Sequence, residues 1–240
     1  MLSYDPALIE RFPAIRAGVV RGTGLRNEPS SPELRDEFVA TQTEALARLE
    51  ETTIAAIPSI AAWRRAFTAF GVKPTQHRVA AEALLRRLSK TSEIPSINTL
   101  VDMGNLVSTR FAVPVAVMDQ RSVTGSTTIR FATGEEQFTD LGSERLVNPE
   151  PGEVIFVDEL GIVSARRWCW RQSAQSAAKS DTTEVLFTIE ALHEDAEQMI
   201  ASAVADLEDL LVRHQPEAEL TSHVLSPQSP SAPVDFRRVY

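Results

Sequence analysis

One cysteine, Cys169, stands in 240 residues, so no disulfide can form within the chain. Histidine is scarce as well: His77, His193, His214 and His223 show no pairing at metal-ligand spacing, which argues against a structural zinc site. Neither a metal nor an organic cofactor is expected. Long apolar runs are missing. The longest, Phe111 to Met118, is interrupted by Pro114 and falls far short of the roughly 20 residues that cross a bilayer. The opening MLSYDPALIERF places Asp5 and Glu10 where a secretory leader has a basic start and an apolar stretch. The expectation is a cytoplasmic protein without membrane contact. Lysine is confined to Lys73, Lys90 and Lys179, so arginine is the default cation and a cluster of arginines is a weaker signal than usual.

The net charge of -9 argues against indiscriminate nucleic-acid binding, which is driven by phosphate neutralisation, and no DNA partner is expected. The charge is unevenly placed. From Arg64 to Lys90 seven basic residues face Glu82 alone, whereas from Asp181 to Glu219 eleven acids face only Arg213. Such polarity suits a protein that meets an anion on one surface and repels it elsewhere. The plainer reading, two solvated helix faces, has equal weight.

The segment Ala14 to Gly24 alternates like a strand, with Ile15, Ala17 and Val19 on one face. Ser31-Pro32-Glu33 is a helix start. A second helix is predicted around Ile60 to Phe70, a third from about Gln76 to Leu88, and a short fourth from Asn98 to Thr109. After Pro114 the runs VAVM, TTIRFA, EVIFVD, GIVSARRWCW and EVLFTIEAL read as strands separated by glycines. Ala196 to Val212 is an amphipathic helix. The fold class is therefore α+β, a mixed sheet with packed helices, helical in its N-terminal half and sheet-rich in its second. Residues 1–213 are expected to form a single domain, and 214–240, rich in Pro and Ser, a disordered tail.

Four blocks, in order, carry a family resemblance: FGVKPTQHRVAAEALLRRLSK, IPSINTLVDMGNLVSTRFAVPVAVMD, PGEVIFVDELGIVSARRWCWRQ and TTEVLFTIEAL. Together they resemble the free-standing B3/B4-type proteins, related to the tRNA-editing domain of the phenylalanyl-tRNA synthetase beta subunit. The resemblance implies a B3/B4-like fold and hydrolysis, in trans, of the ester joining a wrong amino acid to the tRNA 3′-terminal adenosine. Its implied partners are the acceptor end of an aminoacyl-tRNA and, as an alternative, an aminoacyl-tRNA synthetase.

An aminoacyl ester is labile, so a site can act by holding a water, stabilising the oxyanion and excluding wrong side chains by shape. Asp102, Asn105 and Ser108 recur at helical spacing, and Asp158 ends a strand; Asn105, Ser108 and Asp158 are the catalytic candidates, with ordinary helix and turn hydrogen bonding as the competing reading. If RRWCWRQ is a strand, Trp168, Trp170 and Gln172 share a face, available to a base or side chain, or simply to the core. Trp168, Trp170, Arg171 and Gln172, with the i,i+4 pair Arg78 and Glu82, are the substrate-binding candidates. Arg86, Arg87 and Lys90 are the tRNA-binding candidates. Cys169 as a nucleophile would need a base that no nearby residue in sequence supplies. The leading reading is a trans-acting aminoacyl-tRNA deacylase. Its rivals are a non-catalytic module that binds an amino acid, tRNA or a synthetase, and a hydrolase of small esters or amides.

Overall fold

The structure, a computed structural model, describes residues 1–232. Its centre is a four-stranded antiparallel sheet ordered β11-β2-β10-β3, formed by β2 (Arg16–Thr23), β3 (Val115–Asp119), β10 (Glu184–Ala191) and β11 (Glu219–Leu225). Side chains alternate across a strand, and β10 shows what that does here. Val185, Phe187, Ile189 and Ala191 enter one core, together with apolar residues of the helices α2 (Pro32–Glu51), α5 (Thr99–Phe111) and α6 (Ala196–His214). Leu186 enters the other, with Thr188 and Glu190 on the same face. A strand buried on both sides is a continuous apolar run, so a threonine and a glutamate within it are exceptions.

The second core lies between this sheet and a five-stranded one, ordered β1-β4-β7-β8-β9. It consists of β1 (Leu2–Tyr4), β4 (Thr127–Phe131), β7 (Val154–Val157), β8 (Val163–Arg166) and β9 (Arg171–Gln172); β1 and β4 run parallel and the other pairs antiparallel. Val154 and Phe156 point inward to meet Ala17, Val19, Leu186 and Met118, while Ile155 and Val157 point outward to a smaller cluster with Phe138 of the β5 (Phe138–Thr139) and β6 (Leu146–Val147) hairpin. The short α1 (Pro6–Arg11) and α3 (Pro58–Ala69) close this core, α3 through Trp63 and Phe67. The fold is α+β, with helices concentrated in the first half and strands in the second, as the sequence pattern suggests.

Local chemistry explains the element ends. Ser31 caps α2 by accepting from Leu34 N, with proline in the first turn, and Asn98 caps α5 by accepting from Val101 N. Close packing of α6 on β2 requires Gly18: a Cβ there would lie 2.1 Å from Val204 Cγ2.

Three expectations are corrected. Helix α4 (Ala80–Thr91) starts at Ala80, not near Gln76, because Val79 is extended and the Ala80 N–H donates to the Cys169 carbonyl at 2.8 Å. Arg78 thus lies outside the helix, and no i,i+4 pair with Glu82 exists. The stretch GIVSARRWCW is not one strand: Arg167 and Trp168 have φ of 46° and 61°, which ends β8, so the two tryptophans do not share a strand face. The segment after His214 is not a disordered tail through residue 232. Leu225 and Ala232 are buried, β11 pairs with β2 along seven residues, and Ala232 N bonds to Leu2 O. The centre of β11, Thr221, Ser222 and His223, is polar, so the strand carried little hydrophobic signal. The remainder of the proposed tail, 233–240, lies outside the described residues.

Candidate functional site

Between the two sheets lies a cavity of about 60 Å³. Pro114 to Ala116 at the start of β3, Thr188 and Glu190 of β10, Phe156 and Ala165 of the opposite sheet, the turn Trp168 to Gln172, and Ala80 at the start of α4 line it. The strand β10 delivers Glu190, and the left-handed turn after β8 delivers both tryptophans and Cys169.

Glu190 is 2% exposed. Its Oε1 accepts hydrogen bonds from the Tyr4 hydroxyl and, at 2.8 Å, from the Trp168 indole N–H. Burial pushes its carboxyl up to about 7, even though both donors favour the charged form. Oε2 keeps its acceptor capacity. Two residues earlier on the same face, the Thr188 hydroxyl is buried without a hydrogen-bond partner among the described residues. Buried polar groups are nearly always paired, so an unpaired hydroxyl beside a near-neutral carboxyl marks a place for a polar guest. Burial raises the Cys169 thiol well above its ordinary range, and Glu190 adds to that. A protonated thiol is no nucleophile.

The structure brings Trp168, Trp170, Arg171 and Gln172 to this cavity. Trp168 is fully buried, packed edge-on against Trp63 and Phe12. The Trp170 ring is already in use: the Arg167 and Arg171 guanidinium groups lie 4.7 and 4.9 Å from its centroid, and His77 meets it edge-on. It is not a free platform for a base. Gln172 donates to the Val117 and Ser176 carbonyls, both at 2.7 Å, and so ties β9 to β3. Glu82 is sealed from solvent, where Arg64 and Arg86 each donate to Oε1 at 2.8 Å and Oε2 has no partner among the described residues; it holds α3 to α4 and does not line this cavity. Arg78 Nε is buried without a partner among the described residues. Arg86, Arg87 and Lys90 are exposed on α4.

Asn105, Ser108 and Asp158 are not among the cavity residues. Ser108 donates to the Val113 carbonyl at 2.7 Å, bracing the end of α5. Asp158 accepts from the N–H groups of Thr124, Leu160 and Ile162, which makes it the organiser of a turn. Asn105 is half-buried on α5. Asp102, one turn before it, accepts from Ser30, Ser96 and Ile97 N and bolts the loop before α5 to that before α2. Helical spacing revealed that these polar residues share a side; it did not reveal that the side faces loops. Glu190, Thr188 and Tyr4 were missed, although a glutamate inside EVLFTIEAL, in phase with Leu186 and Thr188, was the available signal.

A larger open depression of about 460 Å³ separates Gly24 to Leu34 from His214 to Ala218. Its Arg26 pairs with Glu217, and its Gln215 side chain bonds to the Arg26 backbone. The smaller cavity carries the unsatisfied chemistry.

The sequence pattern of the B3/4 domain matches residues 62–205, which include every residue lining that smaller cavity. The chain belongs to the B3/4 domain family. It is similar to a phenylalanine–tRNA ligase beta subunit of Shewanella oneidensis, 26% identical over an alignment of 190 residues that covers 76% of this chain and 22% of the subunit. It thus spans about a fifth of that relative's length. An N-terminal fragment of the Pyrococcus horikoshii phenylalanyl-tRNA synthetase beta subunit superposes on 92% of this chain and 50% of the fragment, with a TM-score of 0.46 and 11% identity. Among the described residues, no helix is long and apolar enough to cross a membrane.

Proposed function

We propose that this B3/4 domain hydrolyses the ester of a mischarged aminoacyl-tRNA in trans, with the aminoacyl group entering the Glu190 cavity. The observation that carries the reading is the Glu190 carboxyl buried in the cavity lining with one oxygen held by Tyr4 and Trp168, which burial pushes up to about 7. A general base works best when its pKa lies near the working pH. Water attacks the ester carbonyl carbon and gives its proton to Glu190 Oε2. The tetrahedral intermediate then expels the 3′ oxygen, which takes that proton, leaving free amino acid and uncharged tRNA. Thr188 donates to a polar atom of the guest.

Size sets the specificity. One water needs roughly 10–15 Å³ of cavity space, so a cavity of about 60 Å³ has room for a few waters or a small polar side chain, and an aromatic one would have to displace its lining. A panel of mischarged tRNAs tests this: seryl, alanyl and threonyl esters should be released, and tyrosyl and phenylalanyl esters spared. No release from any member would contradict deacylation.

A second reading has its own support. Ser108 and Asp158 are spent on structure and the Cys169 thiol is protonated, so catalysis rests on Glu190 alone. A module that binds an amino acid without turnover keeps the same cavity. It would show saturable amino-acid binding with no ester cleavage.

A further inference from the structure

Arg167 and Trp168 are consecutive non-glycine residues in the left-handed region, a conformation that persists only where its surroundings enforce it and that clusters at ligand clamps. The turn gathers positive charge. Glu153, 3% exposed, accepts from Arg166 through both oxygens, at 2.8 and 3.0 Å, and lies 3.4 Å from Arg167 Nε. One carboxylate therefore serves two guanidinium groups whose side chains are only 10% and 16% exposed. Burial and the charge of Arg166 hold Arg167 below its ordinary range although Glu153 and Glu150 oppose them; a largely buried cation that shares its main counter-ion is unfavourable, and an anion beside it relieves that.

The neighbours fit the same guest. Arg167 Nη1 lies 3.4 Å from His77 Nδ1. A guanidinium only donates, so Nδ1 accepts and the ring proton sits on Nε2. Burial, then the charges of Arg167, Arg166 and Arg171, hold His77 below its ordinary pKa. Arg171 is half-exposed, pairs with Asp140 at 2.6 Å, and borders the Glu190 cavity.

We propose that Arg167 and Arg171, with His77 orienting Arg167, form a phosphate site at the rim of the Glu190 cavity. A carboxylate would be satisfied by one bidentate arginine, whereas two guanidinium groups from separate positions suit a tetrahedral anion. This rests on the deacylase reading in one respect: the phosphate is taken to be that on the 5′ side of the 3′-terminal adenosine.

Titration of the whole protein with adenosine, adenosine 5′-monophosphate, the trinucleotide CCA and inorganic phosphate, followed by tryptophan fluorescence, tests it. The monophosphate and the trinucleotide should bind roughly tenfold or more tightly than adenosine, as expected for charge-assisted contacts. Arg171→Ala should erase most of that ratio without moving the melting temperature, and His77→Ala should reduce it. Equal affinity of wild type for adenosine and its monophosphate would overturn the site; if aminoacyl-tRNA is nonetheless hydrolysed, the deacylase reading stands without it. A phosphate preference without hydrolysis would sustain the site and sink the deacylase. Inorganic phosphate binding as tightly as the nucleotides would overturn the assignment to an RNA end.

Discussion

Glu190 combines two roles that usually conflict, a deep position in the core and a charge that must come and go. Its folded pKa of about 7 exceeds the ordinary 4.5, so the native state holds the proton more tightly than the unfolded chain. Native stability is unaffected by this group below about pH 4.5, declines as pH rises towards 7, and keeps the full penalty above that. Glu190→Gln removes the titration while keeping an acceptor for Tyr4 and Trp168. The variant should therefore gain on wild type in thermal melting between pH 5 and pH 8. The comparison must be with wild type at each pH, because His193, which burial holds below its ordinary pKa, changes stability in the opposite direction. Parallel melting curves at both pH values would contradict the buried-acid account. Trp168 belongs to the same scale. Its ring is fully buried and its N–H fixes Glu190, so Trp168→Ala should cost about 3–5 kcal/mol in denaturant unfolding. Trp170→Ala, at a half-buried position, should cost distinctly less. Equal losses would mean that the two rings share one environment, contrary to the turn described.

At the scale of elements, α4 and β11 show where pattern reading ends. The apolar stripe of α4 was legible and its charged face is exposed, but the first turn was misplaced because a contact with Cys169, 89 residues later, competes with helix extension. The same contact removed Arg78 from the helix. Arg86 is bound to the buried Glu82, so replacing it disturbs α3 as well; Arg87 and Lys90 are the cleaner probes of an RNA-facing surface. If α4 faces the acceptor stem, Arg87→Ala with Lys90→Ala should lower the slope of log affinity against log salt by about 1–2 in filter binding. An unchanged slope would place RNA elsewhere. Strand β11 was invisible because its serine, threonine and histidine carry no apolar period, yet it covers the edge of β2. Ending the chain at residue 218 should lower the melting temperature and expose β2 to protease. A truncated protein as resistant as the whole would count against a structural role for that strand.

For the whole molecule, order and class of the longer elements from β2 to α6 were legible since alternation and helical spacing are local. The meeting of β10 with the turn after β8 was not, because it depends on two sheets stacking face to face. That stacking makes the site: small alanines on three elements leave the cavity, and among the described residues β10 supplies the only carboxylate lining it. Acidic α6 packs on β2, on the opposite face of the central sheet from this cavity, so repulsion of phosphate there is compatible with an anion approaching the arginine-rich rim. The central claim is that Glu190 accepts the proton of the attacking water. It is tested most directly by the single-turnover rate of seryl-tRNA deacylation against pH for wild type and Glu190→Gln. The wild-type rate should rise with an apparent pKa of about 7, and the variant should be slower by roughly 10²–10⁴-fold with that inflection gone. A variant that matches wild type across the pH range would contradict the account.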